Sequence, residues 1–148
     1  MARPVALERG LNLGEDAAVA AVQVGDRRAF LVEERAVRFA EAPDRRGLVI
    51  LAQANPWVAN RGGTYDWLLA QVAAGAARLA KPVLFAHGDT HTYLVDRPFR
   101  DGRGKAVENA RRLETFGSPQ VGWVRVTVDP NDAGLFRFEP RPPAAPGG

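Results

Sequence analysis

The chain has two histidines, His87 and His91, and both fall in the segment His87-Gly88-Asp89-Thr90-His91. Imidazole and carboxylate are good ligands for first-row divalent metals, and neutral imidazole is also the side chain that exchanges protons near pH 7. On an extended strand His87, Asp89 and His91 would share a face. In a tight turn, which Gly88 favours, they would converge from several directions. The three are therefore the catalytic candidates, and the competing reading is a loop anchor held by hydrogen bonds. There is no cysteine, which excludes thiolate chemistry, disulfides and Cys-rich zinc sites.

Two buried strands would position this segment. Leu48-Val49-Ile50-Leu51-Ala52 is a continuous apolar run of strand length, the pattern of a strand covered on both faces. It ends at Gln53-Ala54-Asn55-Pro56-Trp57, where polarity returns and proline stops the ladder. After a loop over 60–63, Thr64 is placed to cap a helix over 65–80, in which Leu68, Leu69, Val72, Ala76 and Leu79 recur at helical spacing. Lys81-Pro82 ends that helix and opens the strand Val83-Leu84-Phe85-Ala86. Strand, helix, strand is a β-α-β unit with parallel strands, so Gln53 and His87 are expected on one sheet edge. Such edges gather ligand-handling groups in α/β proteins. Trp57 adjoins the same edge and is the aromatic expected near a ligand, whereas Trp67 and Trp123 are expected to pack in the core or on the sheet.

The rest of the chain reads less uniformly. Residues 19–24 and 27–32 form either two short strands around Gly25-Asp26 or one alanine-rich helix interrupted at Gly25. Residues 33–42 suit a short helix ended by Pro43. Residues 92–95 read as a strand, 97–105 as a polar loop, and 110–116 as a short helix end or another strand. In 122–128, Val124, Val126 and Val128 alternate with Arg125 and Thr127, the signature of a half-exposed antiparallel strand. A turn over 129–132 leads to a last strand over 135–138. Residues 139–148 are rich in proline and glycine. The resulting organisation is an irregular arm over 1–17, a single domain over 18–140 and a flexible tail over 141–148.

Composition narrows the partners. A net charge of +3 is spread among acids and apolar residues, and the pairs Arg27-Arg28, Arg45-Arg46 and Arg111-Arg112 read as solvated surface, which ranks nucleic acid last. No stretch approaches the roughly 20 apolar residues of a membrane span. With no secretory leader legible at the amino terminus, cytoplasm is the default expectation.

The ordered set of 48–56, a helix, 81–91, 109–119 and 123–130 resembles the C-terminal part of calcineurin-like metallophosphoesterases of a bacterial branch, over Leu48 to Pro140. The resemblance implies a β-sandwich flanked by helices, here partial and of α/β to α+β class. It also implies two metal ions at strand ends, whose bound hydroxide attacks a phosphoester. Against the family's closing motif Gly-His-x-His, Gly88 matches the glycine and His91 the last histidine, while Asp89 stands in the place of the first. Asp89 and His91 are thereby the implied metal ligands, for one Mn2+, Zn2+ or Fe2+. Gln53 takes the place of a metal-binding histidine and, with Asn55, would orient water or substrate. The family's upstream Asp-x-His and Gly-Asn-His motifs are missing, and Gly25-Asp26 matches its middle motif by two residues alone.

That comparison describes a degenerate or partial phosphoesterase that binds one metal or a phosphoester with weak or no hydrolysis, or else a noncatalytic binding or assembly module. A sheet lacking the upstream strands would have an open side, to be covered by residues 19–42, by a second copy in a homo-oligomer or by another partner.

Overall fold

The structure, a computed structural model, describes residues 19–24, 38, 40–59, 61–119 and 121–142, with the backbone alone for 19–24 and 61. The second candidate strand over 27–32, most of the expected helix over 33–42, the arm and the last tail residues lie outside the described residues. What is described is a mixed α/β fold with two small sheets.

The main sheet holds β1 (Val19–Val24), β2 (Gly47–Ala52), β3 (Val83–His87), β4 (Leu94–Asp96) and β5 (Ala110–Glu114), in spatial order β1-β2-β3-β5-β4. The first four strands in that order run parallel, and β4 runs antiparallel to β5. β1 pairs with β2 from Val19↔Gly47 to Val24↔Ala52, so the chain's own strand occupies the side of β2 expected to be open. Because β5 lies between β3 and β4, the segment leaving β3 must cross the carboxyl end of β5 to reach β4. His87-Gly88-Asp89-Thr90-His91 begins that crossing.

The expected β-α-β unit is present: β2, α1 (Asp66–Leu79) and β3, with parallel pairing from Leu48↔Val83 to Leu51↔Ala86. α1 starts after Tyr65, which makes no side-chain cap hydrogen bond, so the N-cap position falls one residue beyond the expected Thr64. The acidic Asp66 in the first turn suits the positive end of the helix dipole. Leu68, Val72, Ala73, Ala76 and Leu79 bury one stripe of α1 against Leu48 and Ile50 of β2 and Val83 and Phe85 of β3. At the far end Ala80 is left-handed (φ 52°), and the Asn109 amide donates to Ala76 O and Lys81 O at 2.8 and 2.7 Å. Ala76 O also accepts from Ala80 N at 3.2 Å, so the amide adds a second donor there and ties the helix end to Lys81, just ahead of β3.

The opposite face of the sheet carries the hairpin β6 (Trp123–Val128) and β7 (Phe136–Arg141). Val124, Val126, Val128, Phe136 and Phe138 pack on Val49, Leu84, Ala86 and Leu113. The alternation along β2 and β3 is thus split between two layers, which explains their unbroken apolar character. Arg111 staples sheet to hairpin, donating from Nη2 to Gly134 O and Phe136 O at 2.7 Å each, with its guanidinium 4.9 Å from the Phe138 ring centroid.

Several boundaries differ from expectation. Of the two readings of 110–116, strand is the one found, over Ala110–Glu114, because these residues complete the parallel ladder beside β3. β4 begins at Leu94, later than expected, since Thr92 belongs to the crossing loop. β7 runs on through Glu139 and Pro140 to Arg141, into residues expected to be tail, and its partner Trp123 sets that length. Trp123 is half-exposed on the outer face of the hairpin beside Arg125 and Arg141, not packed into a core.

Candidate functional site

The carboxyl ends of β2 and β3 lie side by side, and the loops leaving them are joined by direct hydrogen bonds. Gly88 donates from its backbone N–H to Gln53 O at 3.3 Å, and Thr115 donates to His87 O at 3.0 Å. Gln53 itself is exposed and reaches the loop through its carbonyl. Gly88 is not in the left-handed region. The left-handed residues are Asp89 (φ 81°) and His91 (φ 61°), conformations uncommon for residues with a side chain.

Asn55 is the centre of the junction. Its side chain is buried, and Nδ2 donates to Thr90 Oγ1 at 2.8 Å and to Glu114 Oε2 at 3.3 Å. Oδ1 accepts from Trp57 N at 3.0 Å, an Asx turn that shapes the β2 loop. The Asn55 backbone N–H meets Asp89 Oδ2 at 3.3 Å. Glu114, at the end of β5 and 3% exposed, accepts from Thr90 Oγ1 and from Thr92 N in addition to Asn55. A buried carboxylate is tolerated because three donors replace its water shell. Glu114 and Thr90 were not singled out from sequence. Glu114 sits in a segment whose period is ambiguous between helix and strand, and nothing local signals that β5 passes beneath the His87–His91 crossing.

The three catalytic candidates separate. His87 is 3% exposed and faces the α1 side, with its ring 5.6 Å from that of Trp57 and 5.9 Å from that of Phe85. Its Nδ1 lies 2.9 Å from Gly88 O, which can only accept, so Nδ1 carries the proton and Nε2 is a bare acceptor. Nε2 has no partner among the described residues. Burial pushes His87 below its ordinary value, outweighing the Gly88 carbonyl and the Glu114 carboxylate, which act the other way. Asp89 and His91 are exposed on the loop and do not share a face with His87. The His91 ring lies against Gly117, where a Cβ would overlap Cδ2 and Cγ of the imidazole.

Trp57 is half-buried, edge-on to Phe85 and Phe99, and carries the Arg112 guanidinium 4.4 Å above its ring. Arg112 also forms a two-pronged pair with Asp96 at 2.7 and 2.5 Å. Trp57 therefore roofs the aromatic cluster around His87, while its remaining surface borders the candidate edge.

Among the described residues, no three His, Cys, Asp or Glu side chains converge as a metal-holding group. The donor chemistry agrees: Glu114 is committed to three donors, and His87 is sealed beneath Trp57. Among the described residues at this edge Asp89 and His91 remain, too few for a two-metal centre with a bridging carboxylate. No helix of the described residues is long and apolar enough to cross a membrane. No family model, curated protein or solved structure matches the chain.

Proposed function

We propose that this chain is a metallophosphoesterase-like domain whose carboxyl edge is a phosphoester-binding half-site, not a self-sufficient hydrolytic centre. The observation that carries the reading is the junction at Asn55, which brings the end of β2 and the His87–His91 crossing into one hydrogen-bonded edge with Asp89 and His91 on its rim. The partial sandwich expected of that family would correspond to the main sheet and the β6–β7 hairpin facing each other across Leu84, Leu113 and Phe136. On this reading Asp89 and His91 meet one divalent ion such as Mn2+, Zn2+ or Fe2+, or the phosphoester directly, while Gln53, Asn55 and Trp57 shape the floor. Hydrolysis is weak or nil on this reading because, among the described residues, no bridging carboxylate or opposing ligand of a two-metal site stands at this edge.

Titration calorimetry with Mn2+ and with Zn2+, followed by assay on a generic phosphodiester, tests this. The expected result is at most one equivalent of metal, lost in Asp89→Ala, with no turnover above that variant. Turnover well above Asp89→Ala would overturn the noncatalytic clause. Absence of both metal and phosphoester binding would overturn the half-site and favour a purely structural or assembly role. The second reading has its own support: an edge so thoroughly cross-bonded is also what a rigid assembly surface requires.

A further inference from the structure

The connection from β4 to β5, which begins beside the amino half of β5, is an ordered cationic turn. Residues 97–108 contain Arg97, Arg100, Arg103 and Lys105 against Asp101 and Glu108. Arg100 bridges to Ala106, Asp101 N donates to Lys105 O at 2.9 Å, and Gly104, at φ 79°, closes the tip with its N–H on Asp101 O. Buried Phe99 and Val107 anchor the base in the core beside α1. The turn is therefore built like a small hairpin.

Its charges are unbalanced by construction. The carboxylate of Asp101 is turned inward, with Oδ1 accepting from Arg103 N and Lys105 N at 2.9 Å each. Arg100 donates to Arg97 O and Phe99 O, and Arg97 donates to Glu108 O, so both guanidinium groups are steadied by carbonyls and not neutralised by acids. All four cations are exposed, and none forms an ion pair among the described residues, whereas six other arginines do. Four unpaired cations within nine residues of one turn repel one another, which favours binding an anionic partner carrying several charges.

We infer that this turn docks on the phosphate backbone of a nucleic acid, without reading its sequence. Spaced guanidinium groups on a rigid scaffold match successive phosphates, which position a protein without specifying bases. The large exposed hydrophobics among the described residues are Val58, Leu94, Val121 and Trp123, and none lies in 97–108. Insertion into a membrane surface uses apolar side chains, and the buried core of a protein interface is depleted of charge. The turn exposes no large apolar side chain and is dense in charge. This inference is independent of the half-site reading, since none of its four cations takes part in the Asn55 junction.

The test is fluorescence anisotropy of labelled 20-base-pair DNA and RNA duplexes with the intact chain. Binding in the nonspecific range of about 10⁻⁴–10⁻⁶ M is expected, falling roughly a hundredfold between 50 and 200 mM salt if four phosphates are met. Arg103→Ala/Lys105→Ala should reduce that fall to roughly tenfold. Arg103→Lys/Lys105→Arg should retain it. An unchanged urea midpoint in both variants would show that the turn still folds. No binding to either duplex at low salt would overturn the inference, as would binding undiminished in the alanine variant. So would displacement by polyglutamate as effective as by duplex, or binding to anionic vesicles in place of duplex.

Discussion

At the scale of single residues, His87 illustrates how burial redirects chemistry. Its imidazole was the first candidate for metal or proton transfer, yet it is enclosed by Trp57 and Phe85 with one nitrogen tied to a carbonyl. Burial lowers its proton affinity in the folded protein. The unfolded chain takes up the proton below about pH 6.5 and the folded protein does so at lower pH, so this contribution to stability is complete above 6.5 and declines as pH falls below it. Urea midpoints at pH 7.5 and 5.5 should show a larger acid-induced loss in the wild type than in His87→Phe. The difference would have a slope of at most about 1.4 kcal/mol per pH unit. Equal losses in both would assign the proton elsewhere. Asp89 and His91, by contrast, remain available to solvent. Their left-handed backbone and the tight approach of Gly117 to the imidazole come from the crossing loop, not from any local sequence signal.

At the scale of elements, β2, α1 and β3 follow from periodicity. Leu48 to Ala52 and Val83 to Ala86 are apolar without interruption because α1 covers one face and the hairpin the other. What periodicity does not reveal is how element ends are closed. Tyr65 at the start of α1 makes no side-chain cap hydrogen bond, and the last turn of the helix is braced by Asn109, 33 residues beyond Ala76 in sequence. Asn109→Ala should cost about 1–2 kcal/mol, since two part-buried hydrogen bonds are lost while Ala76 O keeps its bond from Ala80 N. Chemical denaturation with an unchanged slope checks this, and a loss below a few tenths of a kcal/mol would mean that water replaces the amide. Lys81 works the same way, donating to Ala40 O and Ala42 O at 2.8 and 2.9 Å and tying the segment before β2 to the start of β3. Local pattern leaves 110–116 open between helix end and strand, and the tertiary structure decides for strand, with Arg111 and Arg112 pointing to opposite faces and spent on different layers.

At the scale of the whole molecule, one sheet separates two apolar clusters, and Phe85 sits at the centre of the larger one with no solvent exposure. Phe85→Ala should cost about 3–5 kcal/mol, a large share of a stability of about 5–15 kcal/mol, and a thermal or urea midpoint would register it. A loss under about 1 kcal/mol would show that the α1 layer collapses to refill the space. The same sheet carries the Asn55 junction at its carboxyl edge and, between β4 and β5, the cationic turn anchored by Phe99 and Val107. By itself the sequence determined the β-α-β unit, the alternating hairpin strand and the segment where chemistry concentrates, because apolar period and side-chain type are local properties. Tertiary structure alone decided that β5 passes beneath the His87–His91 crossing, that Glu114 and Asn55 brace it, and that His87 and His91 part company. Those outcomes depend on strand order, which brings together residues up to 59 positions apart and which no local pattern encodes.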